Sequence, residues 1–104
     1  NGVLHGDFYA HNTLHDGQGG VLVGDFGAAS LLPDDAERSE VLQRVEVRAW
    51  GYLLEELLQH SLPPAAGEQA LAEALNALLA DCLQPDPGQR PLMREVHARL
   101  CCIR

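Results

Sequence analysis

Cations are scarce in this chain. Its 104 residues carry 7 Lys and Arg against 15 Asp and Glu, a formal net charge of −8. Nucleic acid and anionic membrane surfaces need a basic face, so neither is expected as the main partner. Long apolar runs are missing as well. None approaches the roughly 20 residues that a membrane span requires, and no charged-then-apolar N-terminal segment looks like a signal peptide. Cysteine occurs only as Cys82, Cys101 and Cys102. An odd count with two adjacent members makes no disulfide framework, because neighbouring cysteines bridge only with strain. Cys82 lies in an apolar helical pattern and reads as a small core residue. Cys101 and Cys102 read as exposed or half-buried thiols. A reducing compartment follows, with the cytoplasm as its default. Internal repeats, low-complexity linkers and an initiator Met are absent too. A motif begins within the first residues, so the chain is expected to be a piece of something longer.

What is present is enough for one small domain with one core. The hydrophobic fraction of 46% is that of a globular chain and not of a disordered tail. Thr13–His15 and Val21–Val23 are short strand candidates around the turn-forming Asp16-Gly17-Gln18-Gly19-Gly20, which predicts a hairpin. Residues 28 to about 41 show no clear period and read as a loop with room for a helical turn, and Asp34, Asp35 and Glu37 as a solvated acidic cluster. From about Val41 a helix builds on Val47, Trp50, Leu53, Leu54, Leu57 and Leu58, ending near His60 before Pro63-Pro64. Val45, Ala49 and Tyr52 add apolar surface on its other sides, so burial nearly all round is expected. Gly67 opens a second helix faced by Leu71, Leu75, Leu78, Leu79 and Cys82. Gln84-Pro85-Asp86-Pro87-Gly88 is a stop and turn. Pro91 suits the first turn of a third helix carrying Leu92, Val96 and Leu100. The fold expected is mainly α, with one short β-hairpin and about three major helices.

Two stretches stand out against this scaffold. Leu4–Asn12 reads Leu-His-Gly-Asp-Phe-Tyr-Ala-His-Asn, and Gly24–Gly27 reads Gly-Asp-Phe-Gly. Asp7 and Asp25 singly are commonly turn residues. An Asp followed five residues later by an Asn, and then by Asp-Phe-Gly beyond a hairpin, is the layout of a phosphoryl-transfer site. The hairpin folds the chain so that Asp25 returns towards Asn12. His5, His11 and His15 match no common zinc spacing, and no Cys lies near them.

With these residues in view, the chain resembles the C-terminal lobe of protein kinases. His5 to Asn12 is similar to the catalytic loop, and Asp25-Phe26-Gly27 to the magnesium motif. The stretch from Glu46 to Leu57 looks like the central helix, and Cys82 to Pro91 like the Cys-Leu-x-x-Asp-Pro-x-x-Arg-Pro segment between the last helices. Four landmarks in order span almost all of residues 1–104. The kinase-like domains of some bacterial leucine-rich-repeat proteins have this flavour. The resemblance implies ATP and Mg2+ as cofactors and a protein Ser or Thr as acceptor. It makes Asp7 the base that takes the acceptor proton, and Asn12 and Asp25 the magnesium ligands. Leu14, Asp25, Phe26 and Gly27 would line the nucleotide, with Leu53 and Leu57 packed below Leu14. Gly27 would supply the sharp turn after Asp25. His5 and Phe26 would stack as part of an internal column. Glu46 would accept backbone hydrogen bonds from the Asp7 loop at its base, and Arg90 would be structural support.

Departures from the family pattern limit these implications. Gly6 stands in place of the usual Arg, which argues against control by a loop phosphate. Tyr9 replaces a Lys that touches the transferred phosphate, removing charge stabilisation from the transition state. Glu46 replaces Asp. The segment from Asp25 to Glu46 is short and holds no Ala-Pro-Glu, so Arg90 lacks its usual partner and is expected either to pair with another acid or to be solvated. No Gly-rich loop, strand Lys or helix Glu is present, so the N-lobe belongs to a longer parent. His-Gly-Asp without a following Lys also resembles aminoglycoside and choline kinases, although Phe26-Gly27 and Arg90-Pro91 favour the protein-kinase pattern. A non-catalytic pseudokinase interaction module is the third reading. These 104 residues alone are expected to transfer no phosphoryl group from ATP. Transfer that disappears in Asp25→Ala would overturn that expectation.

Overall fold

The computed structural model describes residues 3–9, 12–61 and 63–103. Its strands are short: β1 (Val3–Leu4), β2 (Thr13–His15), β3 (Val21–Val23) and β4 (Ser30–Leu31). The helices are α1 (Ala36–Gln59), α2 (Gln69–Cys82) and α3 (Met93–Cys102). Two 3-10 turns, Phe26–Ala28 and Pro87–Gln89, complete the described elements. The architecture is mainly helical, as the sequence predicts. Among the described residues no helix is long and apolar enough to cross a membrane.

β2 and β3 form the expected antiparallel hairpin, with Thr13 opposite Val23, Leu14 opposite Leu22 and His15 opposite Val21. Its turn is organised by one carboxylate. Asp16 Oδ1 accepts from the N–H of Gln18 (2.7 Å) and of Gly20 (3.0 Å). These bonds favour the ionised form and hold the Asp16 carboxyl below its ordinary pKa. Gly17 and Gly19 take φ of 78° and 99°, which a side chain would resist.

A second ladder was not foreseen. β1 pairs antiparallel with β4, Val3 opposite Leu31 and Leu4 opposite Ser30. It draws the segment after Asp25 back beside the strand that leads into Asp7. Two-residue strands carry no usable period, so this pairing is invisible to pattern reading.

α1 starts about a turn and a half before the expected position. Asp35 is its N-cap and accepts from the Glu37 N–H at 3.0 Å. Ala36 and Glu37 then suit a first helical turn. The helical turn allowed for in the segment before Val41 is thus the first turn of α1 itself, and one member of the acidic cluster is its cap. Burial nearly all round is also overturned. Val47, Gly51 and Leu54 are buried, whereas Val45, Tyr52 and Leu57 are exposed. α2 and α3 pack on the stripe of α1 that carries Val47, Gly51 and Leu54, while the Asp7 loop stands across a cleft from Leu42, Val45 and Glu46.

The core is Val47, Leu78, Cys82 and Val96, flanked by Trp50, Met93 and Leu100. Gly51 allows the close approach of α1 to the end of α2. A Cβ there would meet Leu83 Cδ2 at 2.8 Å and Cys82 Cβ at 3.0 Å. α2 begins two residues after Gly67, whose φ of 92° turns the chain into it. Pro91 is not in a helix. It is buried just before Leu92, the N-cap residue of α3.

Leu78→Ala should remove about 2–5 kcal/mol of stability through a cavity that α1 and α3 cannot refill, read by urea unfolding. Burial pushes the Cys82 thiol up to about 11. Cys101 and Cys102 are exposed, so a thiol reagent at neutral pH should label both before Cys82. Equal labelling rates in the folded chain would contradict this core.

Candidate active site

The Glu46 carboxylate holds the Asp7 loop to α1. Its Oε2 accepts from the His5 N–H at 2.6 Å and its Oε1 from the Gly6 N–H at 2.9 Å. Both bonds are charge-assisted, which makes them stronger than neutral ones. The longer acid reaches, although the family pattern has Asp there.

His5 is 7% exposed and fastens the loop to the second motif. Its Nδ1 accepts from the Asp7 N–H at 3.2 Å, so the ring carries its proton on Nε2 and donates to Gly24 O at 2.7 Å. The His5 ring centre lies 4.8 Å from that of Phe26 and 5.9 Å from that of Phe8. Gly24 is held from its other side too, because its N–H donates to Asn12 O at 2.8 Å. Asp25 therefore leaves a residue whose N–H and C=O are both tied to the Asp7–Asn12 loop.

Asn12 turns towards Asp7. Its Nδ2 donates to Asp7 O at 2.7 Å and to Asp7 Oδ2 at 3.4 Å. That orientation leaves Oδ1, a hard oxygen, for a ligand. Asp25 sits at φ 55° and ψ 69°, the left-handed region. Such a conformation costs an ordinary residue about 1–3 kcal/mol, and Asp tolerates it better than most. The sharp turn belongs to Asp25 and not to Gly27, which has no positive φ. The Asp7 and Asp25 side chains are both exposed. Among the described residues no three His, Cys, Asp or Glu side chains form a metal cluster. His11, one member of the triad that the sequence analysis rejected as a zinc site, lies outside the described residues. Asn12 and Asp25 offer oxygen donors of the kind Mg2+ takes, few enough that phosphate and water oxygens would complete its shell.

Leu14 is 68% exposed and Phe26 57% exposed. Leu14 does not pack on Leu57 as a buried column, since Leu57 is 60% exposed. The apolar surface of β2 instead faces outward beside Leu22. A cleft of about 540 Å³ runs from Asp7 past Gly6 and Tyr9 to Leu42, Val45 and Glu46.

Arg90 is neither solvated nor paired with an acid. It is 6% exposed and donates to the carbonyl oxygens of Gln84 (2.7 Å), Arg44 (3.2 Å) and Pro85 (3.4 Å). Arg44 returns the contact, donating to the carbonyl oxygens of Arg90, Pro87 (3.3 Å) and Gly88 (3.5 Å). Sequence reasoning missed Arg44. Its signal was positional, three, seven and ten residues ahead of the buried Val47, Gly51 and Leu54.

Gly6 has a structural reason beyond a lost Arg. Its φ is 84°, and a Cβ there would come 2.3 Å from Ala28 O. Gly6→Arg should therefore destabilise the chain by at least about 1–2 kcal/mol and create no phosphate sensor. Glu46→Ala should cost about 2–4 kcal/mol, since two N–H donors lose a charged acceptor. Thermal melts of the two variants check both expectations, and an unchanged melting temperature in either would contradict this geometry.

No protein-family model matches the sequence, and no curated protein matches it. Among solved structures, the chain is similar to a divergent Toxoplasma kinase that lacks the glycine-rich loop and regulates membrane ultrastructure of the parasitophorous vacuole. The two are 22% identical, with a TM-score of 0.67. The likeness covers 91% of this chain and 33% of that kinase, so the chain spans about a third of its neighbour's length. The fold of this chain is kinase-like.

Proposed function

We propose that residues 1–104 are the C-terminal lobe of a kinase-like phosphotransferase whose parent moves the γ-phosphoryl group of ATP to a protein Ser or Thr hydroxyl. The observation that carries this reading is the double tie at Gly24, to His5 and to Asn12. It joins the Asp7–Asn12 loop to Asp25 with the loop itself anchored on Glu46. Phosphoryl transfer asks little covalent chemistry of a protein and much positioning, and positioning is what these ties provide.

In this reading the acceptor hydroxyl enters the cleft beside Tyr9, Leu42 and Val45 and gives its proton to the exposed Asp7 carboxylate. Asn12 Oδ1 and the Asp25 carboxylate hold Mg2+, which when bound neutralises charge on the phosphates. Leu14, Phe26 and Gly27 form the surface against which the nucleotide rests. An N-lobe of the parent closes that surface from above. The free thiols of Cys82, Cys101 and Cys102 support a cytoplasmic setting.

Two features favour a second reading, a module that binds nucleotide without turnover. Tyr9 brings no cation to the transferred phosphate, and α1 takes up residues 36–45, which leaves them out of any substrate platform. The full-length parent separates the two. Asp25→Asn should abolish magnesium-dependent nucleotide binding. Asp7→Asn should retain binding and lower transfer by about 10²–10⁴-fold, the usual worth of a general base. Magnesium-dependent binding with no transfer by the wild type selects the module. Absence of both binding and transfer in the parent sinks the two readings together.

A further inference from the structure

We propose a second site, for an oxyanion, where α1, the Pro87–Gln89 turn and α3 meet. A shallow cleft of about 340 Å³ is lined there by Arg44, Asp81, Gly88, Arg90, Glu95 and Arg99. The charge of this cleft is unbalanced. Among the described residues the ion pairs are Arg38 with Asp35 and Arg99 with Asp81. Arg44 and Arg90 have no carboxylate partner among the described residues. Arginine cannot shed its proton to relieve this, and Arg90 is 6% exposed, so solvent screens its charge poorly.

Carbonyl oxygens satisfy part of the hydrogen-bonding demand and none of the net charge. Arg90 uses Nε, Nη1 and Nη2 on three carbonyls, and two of its five N–H groups stay uncommitted. Arg44 spends only Nη1. Among the described residues nothing accepts from its Nε or Nη2, the edge that forks a phosphate or carboxylate. With Arg99 neutralised by Asp81, the remaining cleft charges are two guanidiniums against Glu95, on a chain whose net charge is −8. A positive cleft on so acidic a surface focuses anions. Phosphate has more oxygens than a monocarboxylate and can accept from both guanidiniums at once, so it should bind in preference to a monocarboxylate. This site is independent of Asp7 and Asp25, and of whether the chain transfers phosphate.

The test is an NMR titration of the 104-residue chain with sodium phosphate, and with sodium acetate, at constant ionic strength. Saturable shifts at the amides of Gly88, Gln89 and Glu95, tighter for phosphate than for acetate, are expected. Arg44→Gln should weaken phosphate about tenfold or more, the worth of one charge-assisted hydrogen bond. Arg48→Gln, whose guanidinium lies over the Tyr52 ring, should leave the affinity unchanged. Should Arg44→Gln fail to fold, Glu95→Gln decides, because removing the competing exposed carboxylate must tighten phosphate several-fold. Shifts that never saturate, equal affinity for acetate, an unchanged affinity in Arg44→Gln, or no tightening in Glu95→Gln would each overturn the site.

Discussion

The described structure turns on the carboxylate of Glu46. It is the one side chain of α1 that reaches the Asp7 loop with charge, and it does so through two backbone N–H groups, those of His5 and Gly6. The tie from this loop to the second motif starts at His5. His5 carries the link onward to Gly24, and Gly24 passes it to Asn12 and Asp25. A loop held only by its own short strands would have little to set it, since a two-stranded ribbon is marginal by itself. Anchored on a 24-residue helix, it inherits the position of the core.

The core in turn explains why α1 can serve as that anchor. Val47, one residue beyond Glu46, is fully buried with Leu78, Cys82 and Val96. Two positions before Glu46, Arg44 staples the same helix to the carbonyls at 87, 88 and 90, while Arg90 staples back. Glu46 thus stands between a packed residue and a hydrogen-bonded one, and its backbone has little freedom. Gly51 completes the arrangement from the other direction by letting the end of α2 approach α1 closely. Among the described residues the same staple leaves both guanidiniums without a carboxylate.

Gly6 and Asp25 show how the site departs from ordinary backbone. Both lie at positive φ. At Gly6 the lack of a side chain lets the loop press against Ala28. At Asp25 the unfavourable conformation is borne by a residue whose carboxylate is exposed. Strain of this kind persists only where surrounding contacts over-determine the backbone. Here the ties on Gly24 and the β1–β4 ladder bracket the strained residue.

Periodicity and turn chemistry were enough to place the hairpin and the three helices, because each rests on local preference or on spacing within one element. Leu78 and Cys82 could be assigned to the core on the same grounds. Other features depend on contacts between segments far apart in the chain. The β1–β4 pairing joins two-residue strands with no pattern of their own. Arg44 and Arg90 look like surface cations until the turn at 87–90 folds against α1. The early start of α1 hides behind a capping Asp that also reads as a loop acid. Which stripe of α1 is covered is equally illegible, since Val45 and Leu57 are as apolar as Val47 and Leu54. Sequence alone determined which elements form and where the chemistry-bearing residues stand along them. Tertiary structure decided which of them meet, because a carboxylate or guanidinium acquires its role from the backbone groups that long-range packing brings within reach.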